Sequence, residues 1–125
     1  MKFTARRRIN PLTENKEAKY YARPSYNPEI IELNDLADDI SDRSTVNSTD
    51  VKAVIEAFLQ VIPTYMKRGN IVKVGDLGNF KISFSSEGKE NPDELQSSDI
   101  TNPKIIFTPS VEFKKKIEDV EITRS

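Results

Sequence analysis

The period of the apolar residues changes from helical to alternating at Gly69, and that change sets the fold class. Before it, Val51, Val54, Ile55, Phe58, Leu59, Ile62, Tyr65 and Met66 keep helical spacing for about four turns. After it, Phe80, Ile82 and Phe84 alternate with polar residues, as one face of a strand does. A chain that is helical in its first half and sheet-forming in its second is α+β, with helices and strands segregated rather than interleaved.

The long helix has clear ends. Asn47 can cap it, Asp50 stands three residues on, and Val46 and Val51 are spaced as a hydrophobic staple. Lys67 and Arg68 suit the negative end of the helix dipole, and Gly69 can adopt the left-handed terminal conformation. Pro63 lies inside the pattern and predicts a kink, because its ring crowds the carbonyl of Leu59. Upstream, Leu33, Leu36, Ala37 and Ile40 predict a shorter amphipathic helix, with Asp35, Asp38, Asp39 and Asp42 facing solvent.

Downstream, residues 71–74 and 80–84 read as two strands joined by a turn at 75–78. Residues 85–103 form a long polar excursion, and Ile105, Ile106 and Phe107 return as a third strand. A short helix then follows Ser110, with Val111, Phe113 and Ile117 on its apolar side, and residues 120–123 alternate as a terminal strand would. Residues 1–16 lack periodicity and read as a flexible or extended leader. Residues 19–23 read as an edge strand stopped by Pro24. The chain therefore divides into a basic extension, 1–29, and a domain, 30–125.

Composition narrows the chemistry. There is no Cys and no His, hence no disulfide framework, thiolate, imidazole base or usual transition-metal site. No phosphate loop or nucleophile elbow is present, and neighbouring carboxylates such as Asp38 and Asp39 point to different sides of a helix. The reading is a non-enzymatic chain with no cofactor and no metal. It has no apolar run long enough to span a bilayer, so a cytoplasmic location is expected. The net charge of −1 hides an asymmetry: residues 1–24 carry seven cations against two carboxylates, and residues 25–125 carry twelve against eighteen. Only 36% of residues are hydrophobic, and the stripe from Val51 to Met66 is broad for so small a chain. A second copy is its natural cover.

At this point the residues resemble the HU/integration host factor family of histone-like bacterial DNA-binding proteins. The resemblance rests on NSTDVKAVIEAFLQVIPTYMKRG, on NIVKVGDLGNFKI with its Gly78 and Phe80, and on the Phe107-Thr108-Pro109 step into the last helix. It covers about residues 30–118, and the segment ending in KYYARP looks like the mark of a divergent branch with an N-terminal extension. The resemblance implies an intertwined homodimer. In it, a two-helix base carries three-stranded antiparallel sheets with long hairpin arms and a short C-terminal helix. In the family, basic arms reach around DNA in the minor groove, and a proline at each tip wedges between base steps.

This chain departs from that pattern at the arm, about residues 85–103. Lys89 stands alone there against Glu87, Glu90, Asp93, Glu94 and Asp99. Asn91-Pro92 falls near the family's tip, but its flanks would repel phosphates, and with Asp93-Glu94-Leu95 it reads as a capped helical turn. The grip on DNA is therefore expected elsewhere: at Arg6, Arg7 and Arg8, at Lys81 on the hairpin, and at Lys114, Lys115 and Lys116 on the last helix. Lys114 matches a phosphate-facing lysine of the family. Two functions follow. One is an architectural, nucleoid-associated protein that binds double-stranded DNA through phosphate contacts and tolerates sequence. The alternative is a dimeric interaction module that keeps the fold, no longer binds DNA, and offers its acidic arm to a protein partner.

Overall fold

The computed structural model describes residues 1–12 and 17–125, which form two units. The part of the predicted leader at residues 13–16 lies outside the described residues.

The larger unit, Leu33–Ile117, begins with helices α1 (Leu33–Asp42) and α2 (Ser48–Lys67). Asn47 starts α2 as its spacing predicts: its Oδ1 accepts from the Asp50 amide at 2.9 Å and its Nδ2 donates to Asp50 Oδ2 at 3.0 Å. Gly69 ends it with φ +86°. The Gly69 amide donates to the Met66 carbonyl at 2.9 Å and the Asn70 amide to the Tyr65 carbonyl at 3.2 Å, the paired closure of a Schellman motif. The helix runs through Pro63 as one element, and the neighbouring Thr64 hydroxyl donates to the Gln60 carbonyl at 3.0 Å.

Strands β3 (Val72–Val74), β4 (Gly78–Ser86) and β5 (Ile100–Pro109) form an antiparallel sheet in that order. The register pairs Val72 with Phe80, Phe80 with Phe107 and Ile82 with Ile105, so one face is apolar. The Phe80 and Phe107 rings lie 4.9 Å apart. Gly78 is required where β4 passes β5: φ is +148°, and a Cβ there would lie 2.3 Å from the Thr108 carbonyl oxygen. The ladder extends further than the alternation predicts, to Ser86 opposite Ile100, so the excursion shrinks from 85–103 to residues 87–99. Between Ser83 and Ser85 the register shifts by one, with the extra residue in β5, where Asn102 takes φ +52°. Helix α3 (Val111–Lys115) starts at Ser110, whose Oγ accepts from the Phe113 amide at 3.0 Å and donates to the Asp76 carbonyl. That residue ties the last helix to the β3–β4 turn.

The other unit joins Met1–Glu32 with Glu118–Ser125. The leader is not formless: Lys2–Ile9 is strand β1, paired antiparallel with β2 (Ala18–Ser25), and Pro24 lies within β2 at the sheet edge. The alternation was hidden because charged residues occupy half of β1, while backbone pairing is indifferent to side-chain polarity. The C-terminal strand β6 (Thr123–Arg124) runs parallel to β1. The Met1 ammonium donates to the Glu121 carbonyl at 3.0 Å, and the Ser125 amide to that of Phe3 at 3.0 Å. Residues 118–125 thus bond to the N-terminal strands, although a division at residue 30 assigns them to the larger domain.

The apolar core of the described residues is small. Only Ala37, Val51 and Met66 among hydrophobic residues are buried. Val54, Phe58, Val61 and Tyr65 are spaced four, three and four apart along α2 and are each about half exposed.

Candidate nucleic-acid interface

The candidate DNA-binding cations fall into three groups. The first lies on the sheet. Phe80 and Ile82 face one side of β4, so Lys81 faces the other, opposite Ile106. Lys104, opposite Ser83, and Lys73, opposite Asn79, share that polar face by the same alternation. All three lysines are exposed. Lys81 and Lys73 were legible as residues pointing away from the apolar side. Lys104 was missed because it stands between the excursion, read as ending at Pro103, and the strand, read as beginning at Ile105. Its place one residue from Ile105 and three from Phe107 was the available signal.

The second group is on α3. Lys114, Lys115 and Lys116 occupy its last turn and C-cap, where cations favour the helix dipole, and all are exposed. Successive residues on a helix diverge by about 100°, so the three do not share one face. Lys115 Nζ lies 3.8 Å from Glu112 Oε1, leaving Lys114 and Lys116 as the cations turned elsewhere.

The third group is on the N-terminal strands. Arg6 is opposite Tyr21, Arg7 opposite Tyr20 and Arg8 opposite Lys19. Strand alternation sends Arg6 and Arg8 to one face and Arg7 to the other. The three arginines therefore do not act as one run, as adjacency in sequence implied.

The arm carries the opposite sign and is closed on itself. The Glu87 amide donates to the Asp99 carbonyl at 2.9 Å, where the strands end. Asp99, 8% exposed, accepts from the Gln96 amide at 2.9 Å and pairs with Lys89 Nζ at 3.6 Å. The arm's single cation is thus turned inward against its innermost carboxylate, while Glu87, Glu90, Asp93 and Glu94 are exposed. Pro92 opens a single 3-10 turn, Pro92–Glu94, where the sequence predicts a capped turn. The Asn91 side chain donates to Glu94 Oε1 at 3.2 Å instead of accepting from a backbone amide. Apart from Lys89, which is paired with Asp99, every charged side chain of the arm is a carboxylate. Among the described residues no group of acidic side chains could hold a metal ion, and no helix is long and apolar enough to cross a membrane.

Known proteins are similar to this chain in sequence and in fold. An integration host factor alpha subunit from Methylobacillus flagellatus is 31% identical over 87 residues, covering 68% of this chain and 87% of its own length. The alpha subunit from Idiomarina loihiensis is 28% identical over 89 residues, covering 70% and 91%. Among solved structures, an Anabaena HU crystallised with DNA superposes with a TM-score of 0.55 at 18% identity, over 72% of this chain and all of its own. A candidate DNA-binding protein from Bacteroides vulgatus superposes with a TM-score of 0.63 at 13% identity over 98% of this chain, which spans 47% of that longer protein. The profile of the HU-HIG family, described as an HU domain fused to wHTH, Ig or glycine-rich motif, matches residues 1–124. That match takes in the N-terminal strands and β6 as well as the helices and the β3–β4–β5 sheet, so this chain, terminal unit included, belongs to the HU-HIG family of HU-domain proteins.

Proposed function

We propose that this chain is a histone-like architectural DNA-binding protein, non-catalytic and tolerant of sequence, that works as a homodimer in the bacterial nucleoid and cytoplasm. The observation that carries the reading is the two-sided β3–β4–β5 sheet. Its apolar face stacks Phe80 on Phe107, and its polar face displays Lys73, Lys81 and Lys104. A row of lysines on a sheet, without base-specific hydrogen-bonding partners beside it, suits phosphate contact and shape readout. Lys114 and Lys116 add to that grip from α3. Homodimerisation is supported by the half-exposed stripe Val54–Phe58–Val61–Tyr65, which has too little of the chain's own apolar surface against it.

The arm sets this protein apart from wedge-and-wrap binding. Its tip is acidic and closed, so bending by proline insertion is not part of the mechanism. A second reading is favoured by the same feature: an ordered loop that turns its one lysine inward and four carboxylates outward suits a basic protein partner. Fluorescence anisotropy with a 30-base-pair duplex across a salt series separates the two. Submicromolar binding at low salt, weakened by Lys81→Ala/Lys104→Ala and by Lys114→Ala/Lys116→Ala, is the expected result. No binding at the lowest salt would overturn the DNA reading and leave the acidic arm as the functional surface.

A further inference from the structure

We propose that the β1–β2 ribbon is a second DNA-backbone site, outside the HU-type sheet, formed by Lys2, Arg6, Arg8, Lys19 and Arg23 around Tyr21. The proposal rests on the DNA reading given above and deepens it. The register puts Lys2, Thr4, Arg6 and Arg8 of β1 on the same face as Ser25, Arg23, Tyr21 and Lys19 of β2. Five cations therefore share one face. The opposite face holds Phe3, Ala5, Ile9, Ala18, Tyr20, Ala22 and Pro24, with Arg7 as its one cation from β1 and β2 and Arg124 of β6 beside Phe3. All five cations are exposed, and among the described residues none of them pairs with a carboxylate.

This arrangement does not serve the ribbon's own stability. Arg8 and Lys19 stand directly opposite each other, where like charges oppose strand pairing. Arg6 and Arg23 flank Tyr21 on the same face, adding to the repulsion. A bound polyanion removes that penalty, and the geometry points to the kind of polyanion. Same-face residues repeat about every 6.7 Å along a strand, so Lys2 to Arg8 spans roughly 20 Å. That length matches about six base pairs of duplex at roughly 3.4 Å each. Three of the five cations are arginines, whose guanidinium forks bind phosphate oxygens in pairs, and the Tyr21 hydroxyl is a further phosphate donor. Beyond Phe3, the last residue of β1 that β6 pairs with, the ribbon is two-stranded and narrow enough for the major groove. The site gives back the positive charge that the arm lacks.

The test is anisotropy of the full chain on the 30-base-pair duplex from low to high salt. The variants are Arg6→Gln/Arg8→Gln/Arg23→Gln, which keeps side-chain length in the ribbon, and the singles Arg8→Gln and Arg7→Gln. Amide spectra of β1 and β2 check that the ribbon still forms. Losing three phosphate contacts lowers the slope of log affinity against log salt by about two to three, and affinity at low salt falls tenfold or more. Arg7→Gln removes the same charge from the other face and produces less than half the effect of Arg8→Gln. If the wild type binds and the triple variant, with its ribbon intact, matches it in affinity and slope, the ribbon site is refuted while the DNA reading stands. Equal effects of the two single changes would likewise overturn the face assignment. If the triple variant loses only self-association by light scattering, the ribbon holds the acidic arm of another copy, and the proposal fails. A wild type that binds no duplex refutes the underlying DNA reading itself.

Discussion

Replacing Phe58 by alanine tests the homodimer at a single side chain. In the isolated chain Phe58 is 47% exposed, in the middle of the stripe that runs from Val54 to Tyr65. A phenylalanine presents about 200 Å², so about 100 Å² per protomer awaits a partner. At about 25 cal/mol per Å² this is roughly 2.5 kcal/mol per copy and about 5 kcal/mol per dimer. One factor of ten costs about 1.4 kcal/mol, so the dissociation constant should rise by about three and a half orders of magnitude. Sedimentation equilibrium over a concentration series measures this directly, and the melting temperature should become more dependent on concentration. Leu12→Ala is the comparator: Leu12 is 93% exposed in the β1–β2 loop, and its removal should leave self-association unchanged. A monomeric wild type at tens of micromolar, or equal behaviour of the Phe58 and Leu12 variants, would refute the argument that α2 is covered by a second copy.

Gly78→Ala should destabilise the fold by about 3 kcal/mol or more, since its Cβ must displace the Thr108 carbonyl in a backbone conformation that disfavours a side chain. Urea unfolding checks this, and a loss under 1 kcal/mol would show that β4 and β5 separate easily. Ser110→Ala removes both the α3 cap and the hydroxyl bond to the Asp76 carbonyl, with an expected cost of about 2 kcal/mol in the same assay. Asp99→Ala should leave global unfolding almost unchanged but loosen the arm by about 1–3 kcal/mol, because Lys89 and the Gln96 amide lose their shared acceptor. Hydrogen exchange should then quicken across residues 87–99 and not in α2.

What the sequence made visible were features whose signals are local. Asn47, Gly69 and the stripe between them announced α2, and the alternation of Phe80, Ile82 and Phe84 announced β4. Those residues carry their reasons in their own chemistry: a capping side chain, a missing Cβ, a period. The hidden parts depend on pairing between distant segments. Lys2–Ile9 has too many charges to show a buried face, and its strand character comes from the backbone of Ala18–Ser25. A terminal strand was legible at residues 120–123, but the pairing that sets it at Thr123–Arg124, beside Lys2 and Phe3, was not. The candidate site divides in the same way. Lys81 and Lys114 through Lys116 were legible as positions, whereas the separation of Arg7 from Arg6 and Arg8 needed the knowledge that this segment is extended.

The one-residue shift at Asn102 decides more than a local kink. In a strand every residue changes sides, so an added residue exchanges odd for even in everything beyond it. With the shift, Ile100 lies across from Ser86, on the side shared by Phe84, Ile82 and Phe80. Without it, Ser86 would meet Thr101, and Ile100 would move up opposite Glu87. Asn102 thus works as a parity switch between the sheet and the arm. It lets the lower part of β5 present Ile105 and Phe107 on the apolar side and the upper part present Ile100 there too. Deleting that one residue would leave Thr101 opposite Ser85 and Ile100 opposite Ser86 in an unbroken ladder, whereas straightening the strand with Asn102 kept in it would turn Ile100 off the apolar side.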